Sequence, residues 1–318
     1  MSGPAVAAGC QLPAGDLTIG DLPEGASAVD CDAIGRDVRA GGLELEIPEP
    51  GMRVMLEHVY PSGAVILEIA VDEEGIVSYE TESMLDGAVE EDEASVSASA
   101  SGPSECRQDN WNIRNERHNN RWTWYIGDGS YPAALGYSAF RQIAQQTIGR
   151  IKSAHNDCGF SDKISQLQTT FGGKTSYESD FKIENGVSKC ASRDGRSTLD
   201  AGNLDKSGNP PLAAECTWTT NSGSRRDIVE SDVRFNIRDF DFTTTPWNCS
   251  GKWDVRSVLM HEFGHSVGLG HVSESRYPRM TMSPGIAKCS GSARTLGKGD
   301  IHGLQLLYCL NQNCHRIS

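Results

Sequence analysis

Residues 261–271 read HEFGHSVGLGH. His261 and His265 stand four apart, so on a helix both imidazoles share one face, one turn apart, within reach of one ion. Glu262 lies beside them and can address a water held by that ion. Gly268 suits the left-handed backbone that ends a helix. Gly270 eases the reversal that follows, and His271 returns as a third nitrogen ligand. Three neutral imidazoles with one position left for water is the donor set of a catalytic zinc. Imidazole without thiolate favours zinc, although other divalent metals fit the same donors. The three fixed letters of HExxH arise by chance in about 1% of chains this long, and Gly268 with His271 lower that about a thousandfold. The alternative is two histidines on an ordinary helix. It is weak, because Val258, Leu259, Val267 and Leu269 describe a buried helix, where unpaired imidazoles would be costly.

Working outward, WDVRSVLMHEFGHSVG (253–268) is a helix. ALGYSAFRQIAQQTIGRIKSAHNDC (134–158) is another, with Phe140, Ile143, Ala144, Ile148 and Ile151 on one side. TLGKGDIHGLQLLYCL (295–310) is a third, striped by Ile301, Leu304, Leu307 and Tyr308. ESDVRFNIRDF (230–240) alternates Val233, Phe235 and Ile237 inward as a strand, and Arg121–Ile126 is a further strand candidate. Helix, strands, helix, loop, helix is a mixed α+β layout. No stretch approaches the 18 apolar residues of a membrane-spanning helix.

These motifs resemble a metzincin zinc endopeptidase, and within that class the matrixins (the matrix metalloprotease family) and their bacterial secreted relatives. Val255–His271 is similar to the family's active-site helix and turn. Met282-Ser283-Pro284 is similar to its methionine turn, which makes Met282, rather than Met280, the residue expected beneath the zinc. The resemblance implies a twisted, mostly parallel sheet with an active-site helix and a C-terminal helix. It implies one catalytic Zn2+ on His261, His265 and His271, with Glu262 as general base. It also implies a protein or peptide substrate bound extended along an edge strand, which Asp232–Ile237 resembles. The segment 283–295 would line the pocket beyond the cut. A catalytically inactive binding protein of the same fold is the alternative; the intact ligands and Glu262 argue against it. There are departures. His118 and His155 are far apart and form no cluster for the matrixins' second zinc, so none is expected. Ca2+ at Asp194, Asp200 and Asp205 is a candidate, with a solvated acidic loop the more economical account. Glu274 is too near His271 to act as a distant carboxylate ligand.

The charge is unevenly spread. The 318 residues carry a net charge of −14, which argues against nucleic acid as a partner. Residues 1–105 hold 22 acidic and 3 basic side chains, whereas 106–318 hold 21 and 26. The sequence therefore divides into a small acidic β-rich N-terminal region (1–87), an acidic Ser/Ala-rich linker (88–105) and a metallopeptidase domain (106–318). Runs such as MRVMLEHVY and AVILEIAV predict a small antiparallel sheet within the first part. That part is expected to be a prosegment that inhibits the catalytic domain in cis and is removed at the exposed linker, with a permanent accessory sheet for binding substrate or a surface as the alternative. Ten cysteines, two before the charge boundary and eight after it, with no CxxC, predict disulfides and a secreted protein. The first residues lack the apolar run of a signal peptide. A thiolate from Cys10 or Cys31 on the zinc would leave an odd partner, so a Cys10–Cys31 disulfide is expected. Asp30 or Asp32 then becomes the candidate blocking ligand. The protein is expected to be a monomer.

Overall fold

The computed structural model describes residues 10, 12–85, 105–161, 164, 166–204, 208–220 and 226–309. The N-terminal part supplies β1 (Leu17–Thr18), β2 (Asp37–Ala40), β3 (Leu43–Glu46), β4 (Met52–Tyr60), β5 (Gly63–Val71) and β6 (Val77–Ser83). Then follow β7 (Glu116–Arg117), β8 (Trp122–Ile126), α1 (Tyr137–Ser153), β9 (Thr169–Lys174), β10 (Phe181–Glu184), β11 (Val187–Cys190) and β12 (Ser197–Gly202). The chain continues through β13 (Ala213–Thr220), β14 (Arg226–Asn236), β15 (Phe242–Thr243), β16 (Trp253–Asp254), α2 (Val255–Ser266) and α3 (Lys298–Tyr308). Most of the predicted linker, together with Asp205 and Cys314, lies outside the described residues.

The main sheet has the order β6-β5-β4-β13-β14-β12-β8-β9. Strands β9, β8, β12 and β14 run parallel, and β13 is antiparallel to β14. The connection from β8 to parallel β9 carries α1, as a parallel pair needs a long crossover. The helix buries the expected face, Phe140, Ile143, Ala144, Ile148 and Ile151, in one core with α2 and α3. This is the mixed α+β arrangement anticipated from the sequence, with the active-site helix lying against the sheet.

Two expectations are corrected. Asp232–Ile237 is not an edge: its strand, β14, is hydrogen-bonded to β12 on one side and β13 on the other. On the side of β14 away from β12, the outermost strand contributed by the second part of the chain is β13. Nor do the N-terminal strands make a sheet of their own. β4 pairs antiparallel with β13 from Ala213↔Val59 to Thr220↔Met52, so β4, β5 and β6 prolong the main sheet. β3 joins β11, and with β1, β2 and β10 completes a second sheet drawn from both halves of the chain. The physical reason lies in MRVMLEHVY, which carries apolar residues on both parities (Met52, Val54 and Leu56; Met55 and Val59) and so seeks cover on both faces, as interior strands do. A second core therefore mixes Leu45, Val54, Leu56 and Leu67 with Phe181, Cys190, Cys216 and Trp218.

Disulfides join Cys10–Cys31, Cys106–Cys158, Cys190–Cys216 and Cys249–Cys289, and Cys309 is disulfide-bonded as well. The expected Cys10–Cys31 pair is present, so neither sulfur is a thiolate. No helix among the described residues is long and apolar enough to cross a membrane.

Leu56 on β4 is completely buried in the shared core. Leu56→Ala should destabilise the full chain by about 2–5 kcal/mol, read as a lower urea midpoint; an unchanged midpoint would contradict this packing.

Candidate metal centre

Helix α2 begins where the Asp254 side chain accepts a hydrogen bond from the Ser257 amide at 2.9 Å, an N-cap. It ends in a Schellman motif. The Leu269 amide donates to the Gly264 carbonyl at 2.9 Å and the Gly268 amide to that of His265 at 2.7 Å. Gly268 has φ +95°, and a Cβ there would collide with the carbonyl of Glu116. Only glycine meets both demands. The turn then runs beside residues 110–114. Gly270 donates its amide to the Asn112 carbonyl, Arg114 donates to the Gly268 carbonyl, and Asn112 Nδ2 donates to the His271 carbonyl at 3.1 Å. His271 is thereby brought back over the helix.

The structure brings His261, His265 and His271 together. Their Nε2 atoms form a triangle with all three sides 3.1 Å. The Nδ1 of His261 lies 2.8 Å from the Thr281 carbonyl, and that of His265 lies 2.8 Å from the Leu269 carbonyl. Those carbonyls can only accept, so Nδ1 carries the proton and Nε2 presents a lone pair. Burial pushes the pKa of His265 well down and that of His271 down, which keeps both imidazoles neutral. Thr281 is held in turn by Asp300, whose Oδ2 accepts from the Thr281 amide at 3.1 Å and the Gly297 amide at 2.9 Å.

A fourth acceptor joins them that the sequence analysis did not anticipate. Glu57 Oε1, from β4, lies 2.8 Å from His271 Nε2, 3.1 Å from His265 Nε2 and 3.8 Å from His261 Nε2. Its other oxygen accepts from Arg114 Nη2 at 2.5 Å, and Arg114 Nη1 reaches Glu215 Oε2 at 3.3 Å. Asp30 and Asp32, the carboxylates considered for this place, are exposed and do not belong to the cluster. His261 and His265 present lone pairs toward Glu57 Oε1, and His271 Nε2 completes the set, although its Nδ1 has no partner among the described residues to fix its tautomer. Such a buried set repels itself unless a cation lies among its members. Donors about 3 Å apart fit an ion about 2 Å from each, the length of a zinc–imidazole bond. The residues present thus fit a divalent metal.

Glu262 is fully buried, and neither of its oxygens has a hydrogen-bond partner among the described residues. Burial, then the charges of Glu57 and Glu215, push its carboxyl well above the usual range. Met282 is buried against the underside of α2, where a Cβ on Gly264 would collide with its sulfur. Met280 instead packs near Gly297 and Gly299. Glu274 accepts from the Ser283 hydroxyl at 2.5 Å and the Gly285 amide at 2.7 Å, so it braces the methionine turn. Asp200 pairs bidentately with Arg234, at 2.8 and 2.7 Å, while Asp194 clusters with Asp180 and Glu230. Of the carboxylates considered for calcium, Asp200 is thus engaged by Arg234, Asp194 belongs to an acidic cluster, and Asp205 lies outside the described residues. A cleft of about 480 Å3 beside His271 is lined in part by Arg53, Glu68, Glu80, Glu82 and Arg114.

The Matrixin family model matches residues 132–309. Neutrophil collagenase of Homo sapiens is 39% identical over 74 residues, which are 23% of this chain and 15% of the collagenase. The chain thus matches only a small part of that relative's length.

His118 offers a pH test of this packing. Its ring stacks on Trp122 with centroids 5.1 Å apart, its Nε2 lies 2.9 Å from the Ser266 carbonyl, and burial pushes its pKa down to about 4. Below the ordinary value of 6.5 the unfolded chain binds a proton that the folded chain refuses until about pH 4. His118 therefore lowers stability as pH falls through that window. Glu116 and Glu215, pushed up to about 7 by burial, act in the opposite sense. In metal-free protein, His118→Gln should gain on the wild type between pH 7 and pH 4.5 by up to roughly 2–3 kcal/mol. Urea titrations at both pH values measure the difference; parallel shifts of the two proteins would refute it.

Proposed function

The chain belongs to the matrixin family, a metzincin-type zinc peptidase domain, and from that premise we propose that it is a secreted zinc endopeptidase made in a latent form. The observation that carries the proposal is the convergence of three Nε2 atoms at 3.1 Å spacing beside an unpartnered buried glutamate. His261, His265 and His271 would hold the zinc, as the donor set of a catalytic site requires. When bound, zinc supplies Lewis acidity that polarises a peptide carbonyl and acidifies water. Glu262 takes a proton from the attacking water on a carboxylate oxygen and returns it to the departing amine nitrogen. Met282 gives the histidine-bearing helix a firm floor. Calcium has less support, since Arg234 already neutralises Asp200.

A substrate would lie extended and add backbone hydrogen bonds to a sheet edge. The strand with that role is β13, not β14. Residues 1–87 would act as the prosegment, with 88–105 the place where it is severed. The disulfides support an oxidising, extracellular setting. An inactive binding protein would have no need of Glu262.

After the N-terminal region has been removed, casein hydrolysis should be abolished by a chelator and restored by zinc. Glu262→Ala should keep stoichiometric zinc and lose about 100-fold or more in kcat/KM; an active variant would overturn its role. His271→Ala should fail to retain zinc through dialysis, and full retention would contradict the ligand set.

A further inference from the structure

We propose that Glu57 is a fourth ligand of the metal centre, and that β4 occupies the sheet edge that a peptide substrate would use. The chain would then be kept latent by a carboxylate on an internal strand. The inference rests on the peptidase reading above and names the group that blocks it.

Glu57 sits in the middle of a nine-residue strand and is 0% exposed. In the β4–β13 register it lies directly opposite Glu215, also 0% exposed. Like charges in such a pair repel. Arg114 bridges the two and supplies one positive charge. Glu57 Oε1 receives none of Arg114's hydrogen bonds and has no donor of its own. It faces the Nε2 lone pairs of His261 and His265, and His271 Nε2 at 2.8 Å. A divalent cation balances the remaining charge and gives all four atoms one common partner. Arg114, by taking Oε2, turns Oε1 toward the histidines.

The strand that delivers Glu57 also fills the edge. All eight residues of β13 are in register with β4. A peptide cannot pair with β13 while β4 does, and Glu57 stands where the open position of a catalytic zinc would be. The described candidates for a different plug are excluded, because Cys10 and Cys31 are bonded to each other. β4 is also held by the apolar core that Val54 and Leu56 share with Cys216 and Trp218. Latency therefore needs no free thiol, and severing the chain near residue 100 would not by itself clear the site.

The test uses the full, uncut chain loaded with Co2+, as wild type, Glu57→Gln and Glu57→Ala. It records the visible absorption of the metal and the binding of acetohydroxamate, which needs only a vacant metal position and not the β13 edge. If Glu57 is the blocking ligand, both variants change the Co2+ spectrum and bind the hydroxamate at least about tenfold more tightly than wild type, since the open state is no longer rare. Superimposable spectra with equal hydroxamate affinity would overturn the proposal. So would tight hydroxamate binding by the uncut wild type. Should the variants fail to fold, X-ray absorption of zinc-loaded wild type decides: three imidazoles and a carboxylate support the latch, and three imidazoles and water refute it. One metal bound per chain without a latch leaves the peptidase reading standing. No metal bound by the intact, severed or variant chain would sink that reading itself.

Discussion

Three imidazole nitrogens and one carboxylate oxygen crowded together in a buried site form the constraint around which this molecule is arranged. Left alone, the Nε2 atoms of His261, His265 and His271 and the carboxylate oxygen of Glu57 would drive each other apart. The surrounding structure prevents it. The Thr281 and Leu269 carbonyls fix two of the rings, Asp300 fixes Thr281, and Asn112 pins the backbone of His271. The Tyr308 hydroxyl, on α3, donates to the Val267 carbonyl at 2.9 Å and accepts from the His118 amide at 3.1 Å, so the C-terminal helix clamps the end of α2.

The same elements explain why the two halves of the chain are hard to describe apart. Their opposite charge suggested electrostatic docking. The structure joins them chiefly by a backbone ladder between β4 and β13, by a second sheet in which β3 meets β11, and by a common apolar core. Ion pairs between the halves are few and local. Lys189 reaches Asp37 at 2.5 Å, and Arg114 spans Glu57 and Glu215. Screening by salt weakens surface charge but leaves buried ladders and cores largely untouched, so this union depends little on ionic strength.

Much of the metal centre was legible in the sequence because its logic is local. Four-residue spacing, one glycine with an obligatory left-handed backbone and a returning histidine are all contained in residues 261–271. The apolar stripe of α1 was legible for the same reason. Sheet position was not. Alternation at Val233, Phe235 and Ile237 identifies a strand but cannot say which neighbours it has. Near-complete burial of β14 on both faces is what marks an interior strand, and it appears only in the fold. Glu57 escaped because nothing in its neighbourhood resembles a motif. The available signal was physical: a glutamate and a histidine embedded in MRVMLEHVY, a run otherwise fit for burial on both faces. A charge there has to be answered by something distant in the chain. His58 is answered by the Ser188 hydroxyl at 2.7 Å from its Nε2, and Glu57 by Arg114 and the histidine triangle.

The ladder along β13 has a cost that falls due on release of its partner. Eight residues of bare edge would then offer unpaired amides and carbonyls to whatever extended chain comes near, with Trp218 and its neighbours newly wetted. An uncapped edge of that length is a template for self-association as much as for catalysis. The N-terminal strands cover that edge for as long as the ladder holds.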